Sequence, residues 1–145
     1  MAASPIPMPR DDRTPIALSS TPHPEAKWID VCRVDDITPD TGAAALVGGV
    51  QVAIVRVGAG TGDDAQIYAV GNYDPFSRAF VIARGIVGDR AGVPKIASPI
   101  FKQNFDLRTG QCLDDPDVRL PSYPVRVRDG RIAISIATEA KEPTP

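Results

Sequence analysis

Two runs near the end of the chain, Val125-Arg126-Val127-Arg128 and Arg131-Ile132-Ala133-Ile134-Ser135-Ile136, alternate apolar with polar or small residues and are separated by Asp129-Gly130 alone. A period of two places the apolar groups on one face of an extended strand, and Asp-Gly supplies the positive-φ pair of a type I′ turn, so this stretch predicts a β-hairpin. The same pattern recurs upstream. Trp28-Ile29-Asp30-Val31-Cys32 alternates, Gln51-Val52-Ala53-Ile54-Val55-Arg56-Val57 is rich in β-branched residues, and Ile67-Tyr68-Ala69-Val70 is a short apolar run closed by Gly71 and Asn72. Gly48-Gly49 follows Ala45-Leu46-Val47 as a second hairpin signal, and Val93-Pro94-Lys95-Ile96-Ala97 reads as a further strand. No stretch shows convincing amphipathic-helix spacing. Short strands at about 8–12-residue intervals with Gly and Pro turns imply an all-β fold, a small antiparallel sandwich or barrel.

Proline sets the limits of that fold. Six of the 15 prolines (Pro5, Pro7, Pro9, Pro15, Pro22, Pro24) precede residue 25, among Ser, Thr, Asp and Arg with little to bury. Residues 1–26 therefore read as a disordered arm and residues 138–145 as a disordered tail, leaving one β domain over residues 27–137. A unit of ~110 residues buries somewhat over 60% of its unfolded surface, enough to fold without a metal or disulfide staple.

Several functions are excluded or disfavoured by what the chain lacks. Sixteen basic and 18 acidic residues give a net charge of −2, so no polybasic surface argues for nucleic acid or anionic lipid. The most apolar stretch, residues 43–57, is interrupted by Gly48, Gly49, Gln51 and Arg56 and is too short to span a bilayer. The first residues lack the basic start and apolar core of a secretory signal, so we expect an unexported, cytoplasmic protein in which Cys32 and Cys112 are reduced and packed as small apolar side chains. His23 is the only histidine and lies in the arm, which removes any triad, imidazole base or His-bearing metal site from the domain. Gly58-Ala59-Gly60-Thr61-Gly62 precedes Asp63-Asp64 and another strand instead of a helix, so it reads as a hairpin loop and not a phosphate cradle. The run Asp114-Asp115-Pro116-Asp117 lacks the spacing of a calcium loop and reads as a solvated loop. We expect no catalytic residue and no metal site in this chain.

The most specific signal lies in two loops. One carries Asn72-Tyr73-Asp74-Pro75-Phe76-Ser77, and the other runs Ser98-Pro99-Ile100-Phe101-Lys102-Gln103-Asn104 into Phe105-Asp106-Leu107-Arg108-Thr109-Gly110. Here the chain resembles the Rieske-like superfamily, whose ferredoxins carry C-P-H in the first loop and C-P-W-H-G-x-x-F-D-L-x-T-G in the second, two Cys taking one iron and two His the other. Asp74 stands at the first Cys, Phe76 at the first His, Ser98 at the second Cys and Phe101 at the second His. Both prolines and the FDLRTG tail are kept. The replacements, together with Ala83-Arg84-Gly85-Ile86-Val87-Gly88-Asp89 and Tyr123-Pro124-Val125-Arg126-Val127-Arg128-Asp129-Gly130, resemble the cluster-free small subunits of assimilatory NAD(P)H-dependent nitrite reductases over residues 28–136.

That resemblance implies a Rieske-like fold without its [2Fe–2S] cluster, and an accessory role. The partner would be the large subunit of a nitrite reductase carrying FAD, a [4Fe–4S] cluster and sirohaem and reducing nitrite to ammonium. Neither Phe offers a lone pair to iron, so we expect Phe76 and Phe101 to be apolar plugs filling the space of the cluster. Residues 78–108 hold six basic and two acidic side chains, a net +4, against −6 for the remainder. Arg78, Arg84, Lys102 and Gln103 are therefore candidates for the partner interface, an ordinary solvated surface being the other reading of these residues. Two rival functions remain open at this point: a free-standing cluster-less module serving another reductase or oxygenase, and a weak carboxylate-based metal enzyme centred on Asp74.

Overall fold

A computed structural model of the chain describes residues 27–136, and the proposed arm, the proposed tail and His23 lie outside them. The described residues form twelve strands: β1 (Lys27–Arg33), β2 (Thr41–Val47), β3 (Val50–Val57), β4 (Gln66–Gly71), β5 (Tyr73–Asp74), β6 (Ala79–Phe80), β7 (Ile86–Arg90), β8 (Val93–Ala97), β9 (Asn104–Asp106), β10 (Ser122–Tyr123), β11 (Val125–Arg128) and β12 (Arg131–Ile136). The only helical elements among these residues are single 3₁₀ turns at Val34–Asp36, Gly62–Asp64 and Ile82–Arg84, and no helix is long and apolar enough to cross a membrane.

The strands pair antiparallel in four sheets, ordered β1-β12-β11, β10-β4-β3-β2, β5-β6 and β7-β8-β9. β3 explains how they stack. Its register places Val52 and Ile54 on one face and Ala53 and Val55 on the other, and all four are buried. Val52 and Ile54 join Ile132, Ile134 and Ile136 of β12 in a first core. Ala53 and Val55 join Ile96 of β8, Phe105 of β9, Ile82 and Leu107 in a second. A strand covered on both faces needs a continuous apolar run, which is what residues 52–55 supply. The sandwich expected from sequence is thus extended by a third layer, β7-β8-β9, which carries the second loop between β8 and β9, while the first loop joins β5 to β6.

Both expected hairpins are present. Gly48 and Gly49 take φ of 56° and 85°, and Asp129 and Gly130 take 52° and 75°, the positive pair that lets a two-residue loop follow the twist of its strands. The glycine-rich stretch closes the β3–β4 hairpin, with the Arg56 guanidinium donating to the carbonyls of Gly60 at 3.0 Å and Ile37 at 2.8 Å. The alternation in β1 is broken by a bulge between Asp30 and Cys32. The extra residue, Val31, lets Val31 and Cys32 both pack against the first core. Both cysteines are free, and Cys112 is buried in the second core.

Candidate functional site

The two loops fold into the same turn. In the first, the Arg78 amide donates to the Asp74 carbonyl at 2.7 Å, and in the second the Lys102 amide donates to the Ser98 carbonyl at 3.1 Å. The leading side chain of each accepts from the amide two residues on: Asp74 Oδ1 from Phe76 at 2.9 Å and Ser98 Oγ from Ile100 at 3.3 Å. Such local side-chain bonds are why Asp and Ser, followed by Pro with its fixed φ, hold a turn in place. Each turn ends on a basic residue in the left-handed region, Arg78 at φ 60° and Lys102 at φ 66°. Asp74 therefore matches Ser98, and Arg78 matches Lys102.

The matched leading residues meet. Ser98 Oγ lies 2.5 Å from Asp74 Oδ2, which also accepts from the Ser77 hydroxyl at 2.9 Å. Both side chains are sealed from solvent, Asp74 at 0% and Ser98 at 1% exposure. A buried carboxyl is tolerated when its oxygens are satisfied, and here three donors from two turns do so. The expected ligand positions thus join the loops through a hydrogen bond.

The two aromatic side chains occupy different settings. Phe76 is partly buried, packs at the edge of the second core and lies 6.2 Å, centroid to centroid, from Phe105. Phe101 is not a plug: it is 56% exposed, beside Ile100 at 47%. The second turn is closed behind it by the Ser98 amide donating to the Gln103 carbonyl at 2.9 Å, which leaves Ile100 and Phe101 at the exposed tip. The sequence pattern does not reveal this, because an apolar residue at a former ligand position reads as buried.

The FDLRTG tail is structural. Phe105 and Leu107 are core residues at 0% and 1% exposure. Asp106 Oδ1 accepts from the Arg108 amide at 2.8 Å, and its Oδ2 pairs with the guanidinium at 3.0 Å. The hydrogen bonds from the Arg108 side chain hold the Asp106 carboxyl below its usual range. Gly110 ends the turn at φ 83°, and a Cβ there would clash with the Leu120 carbonyl. Asp114 is exposed, as expected of a solvated loop, and is also held by hydrogen bonds. It accepts from the Asn104 amide at 2.8 Å and from the Asn104 side chain at 3.0 Å, and pairs with Arg90 at 3.3 Å. These bonds, the backbone one foremost, lower its pKa.

The interface candidates occupy different settings. Arg78, Arg84 and Lys102 are exposed, and none takes part in the described ion pairs. Lys102 Nζ donates to the Pro99 carbonyl of its own turn at 3.2 Å. Arg84 ends the 3₁₀ turn that buried Asn72 fixes by accepting from the Ala83 amide at 2.8 Å. Gln103 is half-buried, with its Oε1 closed off from solvent, so it offers a partner less than the three cations do.

The four side chains do not fit a [2Fe–2S] cluster. Two are phenyl rings, one of them turned to solvent, and the Asp74 oxygens already accept three hydrogen bonds. Among the described residues no group of three or more His, Cys, Asp or Glu is placed to hold a metal ion.

The chain matches the Rieske-like [2Fe-2S] domain family over residues 27–135. It is 38% identical to the nitrite reductase (NADH) small subunit of Escherichia coli (strain K12) over 109 residues, which is 75% of this chain and 97% of that one. It is also 34% identical over 119 residues, 81% of this chain, to a segment making up 12% of the nitrite reductase [NAD(P)H] large subunit of Klebsiella oxytoca. Among solved structures, one assigned to an NADH-dependent nitrite reductase small subunit from Mycobacterium tuberculosis superposes with a TM-score of 0.70 at 47% identity, covering 77% of this chain and 96% of that one. The chain belongs to the Rieske-like domain family and, within it, to the small subunits of nitrite reductase.

Proposed function

We propose that this chain is the accessory small subunit of an assimilatory NAD(P)H nitrite reductase, carrying no cluster of its own and supporting the reduction of nitrite to ammonium by a large subunit. One observation carries the reading: a domain like this one is a separate small subunit in Escherichia coli and a segment of the large-subunit polypeptide in Klebsiella oxytoca. A domain found both apart from and within the large polypeptide acts beside it. The positions that could have held iron are occupied by Asp74, Phe76, Ser98 and Phe101, whose chemistry supports an iron-free domain. In this reading FAD, sirohaem and [4Fe–4S] all reside in the large subunit, the complex is cytoplasmic, and the small subunit contributes a surface and not a reacting group. Arg78, Arg84 and Lys102, with Gln103 behind them, lie on that surface and steer association with an acidic partner.

The test is co-purification. A tagged copy of this chain should retain the large sirohaem polypeptide of its own organism at low salt and release it as salt is raised. Recovery of the chain alone under every condition would end the reading.

A further inference from the structure

Large apolar side chains stand exposed at five places among the described residues: Trp28, Leu46, Ile86, Ile100 and Phe101. Trp28 has the Arg126 guanidinium 4.5 Å from its ring centroid. Leu46 stands near the end of β2, beside the Gly48-Gly49 turn. The other three lie at the start of β7 and on the turn that follows its partner strand β8. Ile100 and Phe101 are neighbours at the tip of the second turn, and Ile86 pairs with Ala97, the residue before Ser98. Their exposures are 63% for Ile86, 47% for Ile100 and 56% for Phe101. Exposed apolar side chains on neighbouring backbone segments are the signature of an interaction site, whereas a lone exposed leucine needs no explanation.

The cations lie next to these residues along the chain or in the turn tied to theirs by the Asp74–Ser98 hydrogen bond. Arg84 is two residues before Ile86, Lys102 follows Phe101, and Arg78 ends the matched turn. Arg78 and Lys102 take a left-handed conformation that glycine adopts without strain. Keeping a long basic side chain at both positions is therefore not a requirement of the turn.

We propose that Phe101, Ile100 and Ile86 form the anchor by which this chain seats in an apolar recess of the large reductase polypeptide, whose rim carries carboxylates facing Arg78, Arg84 and Lys102. The inference rests on the small-subunit reading above and adds the contact that supplies the affinity. An apolar centre with a charged rim is the usual anatomy of such an interface, a few central side chains dominating the binding energy. The net +4 of residues 78–108 is complementary to a partner surface of opposite sign. The large polypeptide is the occupant because the Klebsiella oxytoca relative carries the like segment within that polypeptide.

The experiment measures the dissociation constant between separately produced chain and large polypeptide. Phe101→Ser raises it roughly thirtyfold, the effect of losing a hot-spot side chain, and keeps the wild-type melting temperature because Phe101 is exposed. Leu46→Ser, which removes an equally apolar side chain from β2, leaves it within about twofold, as a substitution outside the contact does. Binding by the wild type with a Phe101→Ser constant within about threefold of it, or an equal loss from Leu46→Ser, overturns the anchor and leaves the small-subunit reading standing. Failure of the wild type to bind overturns both. A dimer of this chain in sedimentation that Phe101→Ser dissolves assigns the patch to a second copy and overturns the proposal.

Discussion

The Ser98 hydroxyl donates a 2.5 Å hydrogen bond to Asp74 Oδ2, joining two turns whose leading residues are 24 positions apart. In a Rieske ferredoxin these two positions hold the cysteines of one iron. Here the junction is made of ordinary side chains, and it predicts a measurable coupling. Asp74→Ala, which removes the acceptor of three hydrogen bonds, destabilises the domain by about 3 kcal/mol, and Ser98→Ala by about 1.5 kcal/mol. The double variant loses less than the sum by more than about 0.5 kcal/mol, because both single changes break the same bond. Urea unfolding of the four proteins checks this, and strictly additive losses would remove the hydrogen bond from the account.

Arg78 and Lys102 carry the second prediction. Both adopt positive φ, which costs a non-glycine residue about 1–2 kcal/mol. Arg78→Gly and Lys102→Gly should therefore leave stability unchanged or raise it by up to about 1 kcal/mol, offset in Lys102 by loss of its bond to the Pro99 carbonyl. The same variants should weaken association with the large polypeptide. Measuring melting temperature and affinity together separates a surface role from a structural one.

Much of this architecture is legible in the residues. The hairpins at Gly48-Gly49 and Asp129-Gly130 follow from turn chemistry, and the doubly buried β3 from its unbroken apolar run. β7 is harder to see, because Ile86-Val87-Gly88-Asp89-Arg90 mixes a glycine and two charges into a strand that draws its pairing from β8. Its turn places Ala91 at φ 52° before Gly92, and Ala-Gly is not a recognisable hairpin signal. At the site, the replacements at positions 74, 76, 98 and 101 are visible, but their geometry is not. Whether Phe101 points in or out depends on how residues 98–103 close, and the contact of Asp74 with Ser98 is a long-range pairing that no local pattern encodes. The bonds from Asn104 to Asp114 are hidden for the same reason: Asp114 is exposed as its run of acids suggests, but nothing local shows that Asn104 is brought to it.

Acid should weaken the domain in a defined window. Asp106 and Asp114 both have folded pKa values lowered, the first chiefly by the Arg108 side chain and the second chiefly by the Asn104 amide. A lowered folded value means that the stabilisation is complete above the unfolded carboxylate pKa of about 3.9 and is lost as pH falls through the folded value. The urea midpoint should hold steady from about pH 7 to 5 and drop below about pH 4. Asp106→Asn should flatten part of that drop. An identical acid profile in the variant would show that the Asp106–Arg108 pair, whose guanidinium is open to solvent, contributes nothing.

Gly110→Ala should be among the most damaging small substitutions. The position needs φ 83° and lies against the Leu120 carbonyl, where a Cβ would clash with backbone. We expect a loss of about 3 kcal/mol or failure to fold, read as a fall in melting temperature or in soluble yield. A wild-type melting temperature would mean that the FDLRTG turn does not constrain the fold as described.

The central claim is that an iron-free small subunit assists the large polypeptide by docking on it. Its most direct test is nitrite reduction by the large polypeptide purified without this chain, measured before and after adding the separately produced chain in its colourless, iron-free form. The iron-free chain should raise NAD(P)H-dependent nitrite reduction. No change on addition, or a gain seen only after the chain has been loaded with iron, would contradict it.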